Sequence, residues 1–248
     1  MKISDHVVSC FEDAKAGRFD AALLHACIGI DATSKLLYPS QKSVGKRFVQ
    51  CIRDYYWLVE PMLGAGINLD LTRFENVRLT KTRSPDFADI AYEIFRCGHT
   101  HGDEIPDGFK VLPSHGKWHS QWLIGKNTLR LPDRIVWALL SISIFAKVNE
   151  RQKVQKIGPF NITLGDHCFP VMEWWGQEAR IRPIALEHNQ VRVDLQELGR
   201  VWDAPDNSKT SRLQIVQPNV PERIRLEFSL PQGATAISTS AFTEPAGE

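Results

Sequence analysis

The amino-acid sequence predicts an α+β protein, in which an N-terminal helical bundle is followed by a smaller β-rich module. Apolar residues recur at helical spacing through roughly the first 110 residues, while beyond Gly158 they alternate as in half-buried strands. An apolar content of 43% over 248 residues suits a chain that buries one large core or two small ones. The expected division is residues 1–156 for the helical part, with a small β insertion near 109–131, and residues 157–230 for the β-rich part. Residues 231–248, rich in Ser, Thr, Ala and Gly, read as a disordered tail.

The first helix is expected over Ile3 to Ala16, where Val7, Val8, Cys10 and Phe11 supply the apolar positions and Gly17 stands where a left-handed cap ends a helix. From Phe19 to Leu37 apolar residues are so dense that most of the circumference must be covered. This is the expected central helix, and Pro39 marks its end. A third helix runs from Val44 to Leu58 and stops before Pro61. Ser84, Pro85 and Asp86 open a fourth as cap, first-turn residue and complement to the positive helix end. Its stripe is Phe87, Ile90, Ala91, Ile94 and Phe95. Strand-like pieces follow at Phe109 to Leu112, Trp118 to Ile124 and Thr128 to Leu131, then a helix from Pro132 to about Val148. Strands at Arg180 to Leu186, Gln190 to Leu195 and Arg223 to Leu230 make up the β-rich part.

Composition excludes several classes. The longest apolar stretch, Ile135 to Ala146, falls well short of the roughly 20 residues a bilayer crossing needs. No charged start followed by an apolar run opens the chain, so a cytoplasmic protein without a membrane partner is expected. Cys10, Cys27, Cys51, Cys97 and Cys168 are odd in number and contain no C-x-x-C pair, which argues for reduced thiols over a disulfide framework or a zinc ribbon. Net charge is only +1, yet residues 111–156 hold eight Lys/Arg against two acids. A local basic face is compatible with this; a strongly basic protein is not.

The chemistry concentrates at Ile94-Phe-Arg-Cys-Gly-His-Thr-His-Gly102, which places a permanent cation and two imidazoles at one helix end. Arg96 can hold a phosphate and stabilise the charge of a pentacovalent transition state, and His99 or His101 can move protons to and from the 2′-hydroxyl and the leaving oxygen. Asp31, after the apolar run of the second helix, is placed to orient Arg96. Arg78, Lys81 and Arg83 in a basic loop, with Lys46, Arg47 and Arg53 on the third helix, can track a phosphate backbone.

An apolar helix ending in Arg96, four intervening residues and His101 resembles the signature of the HEPN superfamily (higher eukaryotes and prokaryotes nucleotide-binding domains). Gly-Arg-Phe-Asp-Ala-Ala-Leu-Leu-His from Gly17 to His25, running into Ile-Asp-Ala at 30–32, looks like the long second helix of those bundles. The likeness covers about residues 1–110. It implies a homodimer through the helical domain that brings two Arg/His motifs into one metal-independent endoribonuclease site. It also implies RNA as substrate, no cofactor, and a toxin–antitoxin or antiviral setting in which an antitoxin or regulatory protein is a partner. Cys97 departs from the pattern, because a polar residue such as Asn, Asp or His commonly follows the motif arginine there. Inactive members of that superfamily serve as RNA- or nucleotide-binding or protein-interaction modules, and this is the alternative reading.

Structural roles compete with these. Arg96 can serve its own helix C-terminus or pair with Asp31 without touching a ligand. His25 reads as a satisfied core histidine, and Trp174 and Trp175 as core tryptophans rather than base-stacking platforms. Cys97, His99, His101, Asp103, His115 and His119 crowd into a short span, but Pro113 and Gly116 oppose the helix that would align a metal-ligand pair, so no metal is expected.

Overall fold

Helices dominate the first half of the chain, as the apolar spacing requires. A computed structural model describes residues 2–63, 67–98, 105–112, 119–125, 127–152, 158–189, 211–216 and 225–229. Helix α1 (Ile3–Lys15) is followed by Gly17 at φ +75°, a conformation in which a side chain would be strained. Helix α2 (Phe19–Leu37) packs on α1, on α3 (Val44–Asp54) and on α6 (Arg134–Phe145). That central position is why Leu23, Ala26, Cys27 and Ile30 are wholly buried.

Two helix boundaries differ from expectation. Pro61 does not end the third helix; the chain breaks at Tyr55 and resumes as α4 (Tyr56–Leu63), which contains Pro61. Every α4 residue except Trp57 is buried, and burial on that scale outweighs one lost backbone hydrogen bond. Asp86, rather than Ser84, caps the fourth helix. Its carboxylate accepts from Asp89 N at 2.9 Å while Asp86 N donates to Asp89 at 3.3 Å. The Pro85 carbonyl is already held by Phe74 N at 2.8 Å, so Asp86 is the first residue free to start the helix.

Only Phe87–Ile90 (α5) is α-helical; Ala91–Gly98 continues as a π-helix. Phe87, Ile90, Ala91 and Phe95 of the expected stripe are buried, and the wider turn leaves Ile94 half-buried. Arg96 and Cys97 lie on this π-helical segment.

The insertion contains β1 (His119–Gly125) and β2 (Thr128–Arg130), an antiparallel pair. Phe109 to Leu112 is not a strand: Asp107–Phe109 forms a 3-10 turn and Leu112 bridges to Pro132. Strands β5 (Ser211–Val216) and β6 (Arg225–Ser229) join β1, giving one antiparallel sheet in the order β2-β1-β5-β6. A hairpin of β3 (Asn161–Leu164) and β4 (His167–Pro170) leads into α7 (Val171–Trp174) and α8 (Glu178–Glu187).

Residues 180–186, expected as a strand, therefore belong to α8. Ile181 and Ala185, four apart, are the buried positions and the helix packs on α4, so tertiary burial selects the helical period. Gln190 to Leu195 and the tail at 231–248 lie outside the described residues. Trp175 is buried with Nε1 donating to Asn149 O at 2.8 Å, and Trp174 packs beneath Arg180. The fold is α+β with helices in the majority. No helix among the described residues is long and apolar enough to cross a membrane.

Candidate functional site

Three elements meet at one carboxylate. Asp31 of α2 accepts from Arg96 Nη2 of the π-helix at 3.1 Å and from Arg47 Nη2 of α3 at 3.2 Å. The side chains are 20% (Asp31), 21% (Arg96) and 13% (Arg47) exposed, so the cluster is sheltered yet reachable from solvent. Two guanidinium groups thus share one acid. Arg47 Nε is buried and has no hydrogen-bond partner. Partial burial opposes the charge on Arg96, but the hydrogen bond and charge of Asp31 outweigh it, so the guanidinium holds its proton more firmly than usual.

Tyr92, four residues before Arg96, completes the cluster. The Arg96 guanidinium lies 5.8 Å from its ring centre and Lys81 Nζ lies 5.6 Å from it. Gly45 of α3 lets this ring approach: a Cβ there would stand 2.8 Å from Tyr92 Cζ. Cys97 is half-buried, within hydrogen-bonding reach of the Tyr92 phenol and Arg96. Burial, then the contact with Cys97, raises the Tyr92 phenol above its ordinary range.

Beside the cluster lies a cleft of about 840 Å³ along α3, lined by Lys46, Arg47 and Arg53 from the helix and by Lys81 and Tyr92 from beyond it. Its acids, Asp89 and Glu93, are engaged: Asp89 by Arg53 at 3.1 Å and Glu93 by Thr80 N. Arg53 also binds Asp86 at 2.7 Å. Of the cations singled out in the sequence, Lys46, Arg47 and Lys81 meet here. Arg78 and Arg83 are exposed elsewhere on the same loop, and Arg78 N binds Asn127 Oδ1.

His99 and His101 lie outside the described residues, as do Asp103 and His115. Among the described residues no group of three or more His, Cys, Asp or Glu could hold a metal ion. His25 is partnered but half-buried rather than in the core, with Nδ1 3.1 Å from His6 Nδ1 and Nε2 3.5 Å from Asp13. Arg53, expected with Lys46 and Arg47 on the third helix, also lines the cleft. Sequence reasoning missed Tyr92, for which the spacing to Arg96, one helical turn, was the available signal.

The family model for Rv1289 matches residues 2–202. The chain belongs to the Rv1289 family. The matched segment contains α1–α8, β1–β4 and every site residue named above, whereas β5 and β6 lie beyond it. Similar relatives include the uncharacterized protein Rv1289 of Mycobacterium tuberculosis (strain ATCC 25618 / H37Rv) and the uncharacterized protein Mb1320 of Mycobacterium bovis. Each is 29% identical over 206 residues, covering 82% of this chain and 96% of the relative. No solved structure matches the chain.

Proposed function

We propose that this Rv1289-family protein is a metal-independent endoribonuclease of the HEPN type. One observation carries the reading: Arg96, the arginine of the Arg-x4-His spacing, is held by Asp31 together with Arg47 at the edge of a basic cleft. Such a pair of oriented guanidinium groups suits a phosphate oxygen that gains charge during the reaction. Asp31 acts as a positioning residue.

His101 serves as general acid or base, with His99 as helper. The RNA 2′-hydroxyl loses its proton and attacks phosphorus, and the bond to the 5′-oxygen breaks as that oxygen takes up a proton. The products carry a 2′,3′-cyclic phosphate and a 5′-hydroxyl. A homodimer brings two such motifs together, and a restraining antitoxin or regulatory protein fits a cytoplasmic toxin or antiviral effector.

The test is cleavage of labelled RNA in EDTA by the wild type, Arg96→Ala and His101→Ala, each checked for folding. Chelator-resistant cleavage lost in both variants is expected, with a drop of about 10² to 10⁴ for the histidine. DNA strands should resist. Cutting of DNA as readily as RNA would refute the 2′-hydroxyl mechanism. A second reading, an inactive RNA- or nucleotide-binding or protein-interaction module, is favoured by Cys97 at the position after the motif arginine; a folded wild type that cuts no RNA would select it.

A further inference from the structure

We infer that the cleft along α3 is a strand-tracking groove for single-stranded RNA, with Lys46 and Lys81 holding phosphates that flank the one at Arg96. The inference rests on the proposed reading for its ligand and extends it to a substrate class and to residues outside the catalytic motif.

The charge balance points to an anionic ligand. Four cations line the cleft, Lys46, Arg47, Arg53 and Lys81, against the two acids Asp89 and Glu93. Arg53 and Asp89 remove one charge of each sign, and Glu93, hydrogen-bonded only to a neutral backbone N–H, keeps its charge, so Lys46, Lys81 and Arg47 still outnumber the remaining acid of the lining. Lys46 and Lys81, both exposed, remain available to a ligand, and Arg47 is tied to Asp31 through one terminal nitrogen. Beside the cations, Gln41, Ser43 and Gln50 add hydrogen-bonding groups to the lining that a polar, anionic chain can use.

Shape points to a strand rather than a duplex. The cations stand on two walls of the cleft, α3 on one hand and the loop that carries Lys81 on the other, and a single chain can lie between them. A duplex presents its phosphates on a convex surface that meets only the rim of such a cleft. Tyr92 ties the groove to the motif: its ring abuts Gly45, carries Lys81 on one contact and Arg96 on another. A strand held at Lys81 is thereby led toward Arg96. Arg78 and Arg83, equally basic and exposed, line none of this cleft and are not part of the groove.

Binding is measured with a labelled 2′-O-methyl RNA strand, which cannot be cut by its own 2′-hydroxyl, on the full chain across a salt series. The comparison is wild type, Lys46→Ala/Lys81→Ala and Arg78→Ala/Arg83→Ala. The lysine pair should weaken binding about tenfold at low salt and flatten the slope of log affinity against log salt by about 1.4, since each lost contact on a single strand removes about 0.7. The arginine pair should leave both quantities near wild type. Equal losses in the two variants, no loss in the lysine variant, no binding by the folded wild type, or equal lysine-dependent binding of a duplex would each overturn the groove. Cleavage of unmodified RNA in EDTA is read separately. Lysine-dependent binding without cleavage would keep the groove and discard the nuclease, whereas Arg96-dependent cleavage indifferent to the lysines would do the reverse.

Discussion

Asp31 holds two guanidinium groups that would otherwise repel each other at close range. Replacing Asp31 by Ala leaves Arg96 and Arg47 partly buried without their shared acceptor, and should cost about 1–3 kcal/mol of stability. Arg96→Ala in the same background should then cost less than it does alone, which urea unfolding of the double-mutant set measures. A second residue-scale effect concerns pH. Burial, then the neighbouring His25, pushes the His6 imidazole below its ordinary value of 6.5. The folded state therefore binds fewer protons than the unfolded chain below about pH 6.5. Stability should be full above that value and fall as pH drops through it. His6→Asn should flatten this acid-side decline in urea midpoints; an unchanged slope would assign the decline to other groups, His188 among them, which is lowered by burial and His167.

At the scale of elements, the contact between α3 and the π-helix turns on Gly45. Inside a helix, exchanging Gly for Ala ordinarily stabilises by about 1 kcal/mol. Here the added Cβ would lie 2.8 Å from Tyr92 Cζ and 2.9 Å from Cε1, and the ring is backed by Phe48. Gly45→Ala should thus destabilise by about 1–2 kcal/mol. In a Tyr92→Ala background the same exchange should become neutral or stabilising, and thermal unfolding of the four proteins checks the change of sign.

For the whole molecule, residues 171–189 are fastened to the helical bundle. Tyr55 donates to Glu178 at 2.6 Å, Gly176 N to Ile144 O at 2.7 Å, Trp175 Nε1 to Asn149 O, and Asn189 to the buried Glu60. A chain ending at residue 156 loses all four contacts and the apolar surface of Ile181 and Ala185. It should lose cooperative unfolding, while a chain ending after residue 189 should keep it. Circular dichroism melts of the two truncations decide this, and cooperative melting of the shorter chain would show the bundle to be independent.

Local chemistry made much of the bundle legible beforehand. The limits of α2 follow from its apolar density and Pro39, the end of α1 from Gly17, and the pairing of Asp31 with Arg96 from a carboxylate in an apolar helix that needs a cation. Tertiary structure alone decided the rest. α and π windings share an early apolar pattern, so only packing shows that Ala91–Gly98 takes the wider turn and sets Arg96 over Asp31 beside Arg47. Residues 180–186 alternate weakly enough to read as a strand until α4 rewards the helical face. The pairing of β1 with β5 joins segments almost a hundred residues apart, through backbone hydrogen bonds that no local spacing encodes. Side-chain type and period determine which segments are helical and which groups seek partners; which partners they find is settled by the burial available when distant segments meet.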